Sequence, residues 1–328
     1  MKKRIWHRIL IGVLILGTRT ATAHADTLTL EQELQFKYYF HEVQRLYNLQ
    51  QFQQAQPIVE FCYYLNPNDA TINNYMAYFA RSINQPEKAK YHFQKAFELD
   101  PTHYWNNYNI TLLNEGTRQE KQQALDNLEK VSRLITKDEE LLFTLSRAYL
   151  IEGYYQKAIH TLNRLDSVVG INENTTHMRF RIYMVLNDTT HAIQEVERYV
   201  QYDPYNYQFQ VLRMQLYQET QQPADKCITA YRGVLQLEPD NLLALNNLAW
   251  LLCTQGGDLV EAEELSRTTL MQEAQNPIYL DTYAWICYLL GDCQAARYFI
   301  QKAIENITPE TKEDIQKHYK EIKRKCKK

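Results

Sequence analysis

The sequence predicts an all-α solenoid of about eight helix–turn–helix repeats, and two observations carry that expectation. A small residue recurs at Ala55, Ala89, Ala124, Ala158, Ala192, Cys227, Ala262 and Ala296, at spacings of 34, 35, 34, 34, 35, 35 and 34 residues. Between Leu245 and Ala303 two copies of one unit stand side by side: Trp250 recurs as Trp285, Leu252 as Cys287, Gly257 as Gly291 and Ala262 as Ala296. Self-similarity at such a period marks a repeat architecture, in which burial grows by stacking units and no single core has to be large.

Taken in order, residues 1–25 stand apart from the repeats. MKKRIWHR is a basic start, Ile9 to Gly17 is a short apolar run, and Ala21, Ala23 and Ala25 supply small-residue cleavage patterns. That is the layout of a cleavable secretory signal peptide. The apolar run is far below the roughly 20 residues needed to span a bilayer. No cysteine follows it, so no lipid anchor is expected, and the chain reads as exported to the periplasm or outer-membrane periphery without a transmembrane segment. Removing these residues takes away five Lys/Arg and leaves 31 basic against 39 acidic side chains, a net charge of −8. That sign, together with export, argues against nucleic acid as a partner. Composition is otherwise that of a soluble globular chain, with 45% apolar and 23% charged residues; only the 25 tyrosines stand out, as packed interfaces or as an adhesive surface.

Residues 26–309 hold the repeats. Four residues after each aligned small residue come Val59, Phe93, Leu128, Leu162, Val196, Tyr231, Ser266 and Ile300. Seven after it come Cys62, Ala96, Val131, Leu165, Tyr199, Val234, Thr269 and Ala303. Offsets of four and seven put all three on one helix face, small alternating with large, so that the preceding helix can approach closely. Twelve residues on, Pro67, Pro101, Pro204 and Pro239 end four of the units, because proline cannot continue a helix. Five residues before the aligned position, Gln50, Asn84, Gln119, Gly153, Asn187, Gln222, Gly257 and Gly291 are expected to mark the turn inside each unit. Units 3, 6 and 7 carry one extra residue, and unit 6 departs furthest, with Cys227 for alanine and Gly233 beside its packing position. After Pro309, residues 310–328 form a basic segment with early acids and late lysines, as suits a terminal capping helix.

The period of 34 with Ala, a large apolar residue, Ala and then Pro resembles the tetratricopeptide repeat, most closely in QPEKAKYHFQKAFELDP (Gln85 to Pro101) and in Gly153 to Leu165. More narrowly, the chain is similar to exported bacterial proteins made almost entirely of such units. The tryptophan and glycine usual early in that family's first helix are mostly absent. The resemblance implies a right-handed superhelix with a concave groove lined by the first helices, which holds extended peptides or helices. The groove positions carried over are Phe40, Tyr47, Tyr78, Arg81, Trp105, Tyr108, Phe143, Arg147, His177, Arg181, Trp250, Asp281, Trp285 and Tyr288. Aromatics mixed with arginine are the side chains that dominate binding hot spots. Trp250 and Trp285 read equally well as rings packed between repeats. Trp105 and Tyr108 are expected to be exposed, because Asn106, Asn107 and Asn109 surround them. The charged clamp that some family members use for chaperone C-termini is not found.

No enzymatic constellation stands out. The sequence has no glycine-rich phosphate loop, no GxSxG and no HExxH, and its histidines lack metal-ligand spacing. No cofactor or metal is expected. Six cysteines in an exported chain raise the question of disulfides. Cys62 lies in unit 1, whereas Cys227, Cys253, Cys287 and Cys293 lie in units 6 to 8, about 50 Å away for stacked helices of ~10 Å diameter, and bridged Cα atoms lie within ~7 Å. Cys62 and Cys227 take small-residue packing positions and read as buried free thiols. Cys287 and Cys293, on either side of one turn, are a candidate local bridge. The leading expectation is a scaffold or adaptor for protein partners in the bacterial cell envelope. A glycan- or cell-wall-binding solenoid that uses its groove aromatics is the alternative, and an enzyme is not expected.

Overall fold

The computed structural model describes residues 28–326, and every regular element among them is an α-helix. The leader expected at residues 1–25 lies outside the described residues. The helices fall into two compact units, one up to Thr136 and one from Lys137 on. In the first, α1 (Leu30–Asn48) pairs with α2 (Phe52–Leu65), α3 (Ala70–Ser82) with α4 (Pro86–Leu99), and α5 (Trp105–Glu115) with α6 (Arg118–Leu134). The second holds five further pairs: α7 (Glu139–Ile151) with α8 (Tyr155–Val169), α9 (Glu173–Val185) with α10 (Thr189–Tyr202), α11 (Tyr207–Glu219) with α12 (Ala224–Leu237), α13 (Leu242–Thr254) with α14 (Leu259–Gln272), and α15 (Pro277–Leu289) with α16 (Cys293–Glu305). A last helix, α17 (Lys312–Lys325), packs on α16 and α15. Each pair is one of the eight repeats, and the architecture is an all-α solenoid of helical repeats. Among the described residues no helix is long and apolar enough to cross a membrane.

The repeat spacing is written into the backbone at the turns. Gln50, Asn84, Gly153, Asn187, Gln221, Gly256 and Gly291 all take positive φ, between 50° and 86°. The residue after each donates its N–H to a carbonyl five residues back, as from Gln85 to Ala80 at 2.8 Å or from Asp292 to Cys287 at 2.9 Å. This is the Schellman closure of a helix end. In units 6 and 7 the left-handed residue is Gln221 or Gly256, one before the expected Gln222 or Gly257, so the extra residue sits after the turn and before the second helix. Unit 3 departs altogether. Its second helix starts a turn early at Arg118, capped by a Thr117/Glu120 capping box, and Gln119 lies inside the helix. Elsewhere the first helices start on side-chain caps, Asp69, Asp138, Asn172, Asn206, Asn241 and Asn276 each accepting from a backbone N–H of the first turn.

All 24 positions of the small–large–small pattern are buried, from Ala55, Val59 and Cys62 to Ala296, Ile300 and Ala303. Buried polar clusters interrupt the apolar seam, two of them in the second unit. Arg179, only 1% exposed, bonds Asp166 through Nη2 at 2.6 Å and Glu195 through Nε at 2.8 Å, and Arg198 closes the set on both carboxylates. In unit 6 Gln210 donates to the Pro204 carbonyl at 2.7 Å and accepts from Arg213 Nη2 at 2.7 Å. A Cβ on Gly233 would stand 2.5 Å from Gln210 Oε1 and 2.6 Å from Arg213 Nη2, so a side chain there would displace this pair of side-chain ends.

The cysteines fall partly as expected. Cys62 and Cys227 are buried free thiols, as are Cys253 and Cys287. Burial pushes Cys62 and Cys253 up to about 12 and Cys287 to about 11. Cys293 is bonded to Cys326 and not to Cys287. Cys287 faces the core beside Ala284, Ala296 and Ile300, whereas Cys293 opens α16 next to the C-terminal end of α17.

Candidate functional site

The first helix of a repeat has one face against its own second helix and one left for solvent or a partner. Tyr78, Arg147, Arg181, Trp250 and Trp285 share one register on that face. Each stands eleven residues before the aligned small residue, or twelve in unit 7 with its extra residue.

In the first unit this face carries one aromatic–cation assembly. Tyr78 meets Phe93 edge-on with centroids 5.4 Å apart, and the exposed Arg81 guanidinium lies 4.6 Å from the same ring. Asn107 of α5 donates from Nδ2 to the Tyr78 hydroxyl at 3.1 Å and to Asn74 Oδ1 at 3.3 Å, which ties two repeats together at the surface. Phe40 and Tyr47 are half-buried packing groups. Tyr47 stacks among Phe52, Tyr75 and Phe79, and desolvation there raises its hydroxyl to about 12.

Trp105 and Tyr108 overturn the expectation of exposure: both are 4% exposed. Tyr108 packs on Phe97 within the core of Ala77, Ala89, Phe93 and Leu112. The neighbouring asparagines do not signal exposure of the rings, because asparagine amides here also bond within the fold. Asn109 is fully buried, donating to the Trp105 carbonyl at 2.6 Å and accepting from Asn127 at 2.9 Å.

In the second unit Arg147 lies 5.8 Å from the Phe143 ring, and His177 packs edge-on to Phe180 and Phe209 while remaining exposed, as is Arg181. At its C-terminal end the face becomes a cleft of about 690 Å³. Trp250 and Thr254 of α13 and Trp285 of α15 form one wall, and Glu313, Gln316, Lys317, His318, Lys320, Glu321 and Arg324 of α17 form the other. The His318 ring sits 4.5 Å from Trp285 and 5.4 Å from Trp250, and its Nδ1 lies 2.7 Å from Asp281 Oδ2. Asp281 is thus not a groove-lining group: it is buried beneath α17 and holds that helix through His318. Tyr288 leans on Trp285 at 5.2 Å, half-buried.

Sequence reasoning missed the α17 wall. Its signal was available, since α17 starts 35 residues after α15, which starts 35 after α13: α17 takes the place of the first helix of a ninth repeat. The disulfide joins the end of that helix to the start of α16. Among the described residues no three His, Cys, Asp or Glu side chains are grouped to hold a metal ion.

No family model and no curated protein sequence matches the chain. Solved structures similar to it include tetratricopeptide repeat proteins. The C-terminal part of a repeat protein from Cytophaga hutchinsonii is 14% identical, with a TM-score of 0.48 over 75% of this chain and 98% of that one. A tetratricopeptide repeat protein from Parabacteroides merdae is 15% identical, with a TM-score of 0.41 over 77% and 98%. The repeat domain of P58(IPK) is 15% identical, with a TM-score of 0.30 over 88% and 97%.

Proposed function

We propose that this chain is a protein-binding scaffold, an adaptor that works in the bacterial cell envelope after export. One observation carries the reading: exposed arginines recur beside rings on the first helices of both units, Arg81 over Phe93 next to Tyr78, Arg147 near Phe143, and Arg181 one turn along from the exposed His177. Ring-and-guanidinium pairs give large contact area with directed charge, and a preformed surface loses little ordering entropy on binding. The basic, then apolar, then small-residue start of the sequence supports export. A glycan-binding role is less well supported, because burial of Trp105 and Tyr108 removes two of the stacking platforms it would use.

The test is affinity capture from an envelope extract with the full chain, in parallel with a variant carrying Arg81→Glu, Arg147→Glu and Arg181→Glu. These side chains are exposed, so the helical circular dichroism should be unchanged. Specific protein partners retained by the wild type and lost from the variant are the expected result. Identical capture profiles would refute the role of this face.

A further inference from the structure

We infer that the cleft between Trp250, Trp285 and α17 docks an acidic peptide segment. The inference rests on the scaffold reading and names the chemistry of one of its sites. Three features converge there. The first is shape: the cleft has the size of pockets that hold small ligands, and its floor is the continuous ring contact Trp250–His318–Trp285. Indoles that are half-buried and still line open space give an incoming apolar side chain a place to anchor.

The second is local charge. Arg324 is spent on Glu321, bonding it from Nε at 3.1 Å and from Nη2 at 2.7 Å. Lys317 and Lys320 are exposed, and no carboxylate among the described residues pairs with either. Two ammonium groups therefore stand at the rim against the single carboxylate of Glu313.

The third is the contrast with the rest of the chain. Residues 26–311 hold 23 basic and 36 acidic side chains, whereas α17 holds six basic and three acidic ones. An acidic segment is repelled by most of this surface and drawn to α17, so the field itself selects the site. Thr254 and Gln316 supply the one hydroxyl and the one amide on the walls, too few to match the row of hydroxyls a neutral sugar would present.

The experiment titrates the oxidised full chain with synthetic peptides of one length, graded from acidic to basic and each with one central phenylalanine, and follows indole fluorescence. Acidic peptides should bind at least about tenfold more tightly than basic ones at low salt, and the difference should shrink as salt is raised. A Lys317→Glu/Lys320→Glu variant should keep its circular dichroism and lose the ranking. A flat ranking in the wild type, or an unchanged ranking in the variant, overturns the inference. Oligogalacturonate run alongside separates the sources of negative charge: saturable binding of the glycan without a peptide ranking overturns the peptide assignment. Loss of the cleft result while capture through Arg81, Arg147 and Arg181 persists removes this site alone and leaves the scaffold reading standing.

Discussion

Arg179 shows how a single residue can depart from the repeat pattern and still be held. It lies in the first helix of unit 5, in register with Leu145 of unit 4, yet a guanidinium fills the space. Asp166 and Glu195 neutralise it from α8 and α10. Removing the cation leaves two carboxylates largely out of water, so Arg179→Ala should destabilise the second unit by about 3 kcal/mol in urea unfolding. Arg179→Lys should recover only part of that, because one ammonium cannot match the two-sided geometry. His92 gives a pH-dependent counterpart. Burial, then the charge of Lys88, lowers its pKa, and its Nδ1–H points at Asn73 Oδ1 at 3.0 Å. The Asn73 amide is fixed by donating to the carbonyls of Pro67 and Asp69. Because the folded value lies below the unfolded one near 6.5, the unfolded chain binds the proton first as pH falls. Stability is therefore full above that value and declines below it. Urea midpoints at pH 7.5 and 5.5 should differ more for the wild type than for His92→Gln; equal differences would contradict this account of His92. Neither residue's role was legible in the sequence, where nothing in the pattern marks an arginine as buried and paired and a helical histidine reads equally as a surface or a packed group.

At the scale of the element, the pattern of small and large residues was fully legible. Spacing alone located all eight second helices, and every one of their three aligned positions is buried. Outside unit 3, turn chemistry was legible to within one residue, because the pairs Gln221–Gln222 and Gly256–Gly257 do not announce which of two like neighbours takes the left-handed conformation. Helix α17 was legible as a cap but not as a wall of the cleft, since its pairing with Trp250, Asp281 and Trp285 is a contact between units of sequence and not a pattern within one. The Cys293–Cys326 bridge belongs to the same class. It spans 33 residues, and closing a loop of that length in the unfolded chain stabilises the fold by about 3–4 kcal/mol in the chain-entropy account. Cys326→Ser should lower the melting temperature and speed amide exchange in α17 before other helices. Uniform loss of protection across the second unit would show instead that α17 does not open separately. The remaining thiols are buried, so a maleimide should label Cys62, Cys227, Cys253 and Cys287 only after denaturation.

For the whole molecule, the sequence pointed to the tryptophan near residue 105 as the distinctive exposed cluster, and the packing moves that distinction to the C-terminal end. Trp105 and Tyr108 are core residues of the first unit, while Trp250 and Trp285 are half-buried and line the cleft whose far wall is α17. What the chain can do then depends on which faces the stack leaves open. The most direct measurement is site-specific photocrosslinking in cells, with a reactive residue placed at Arg81, Arg147, Arg181 or Lys317 on the first-helix face. The same probe at the exposed Glu98 and Glu264 of second helices serves as the control. Discrete adducts to protein partners from the first-helix positions, and none from the controls, are the predicted result. Adducts only from the second-helix positions, or equally from both sets, would contradict the claim that the first-helix face is the binding surface.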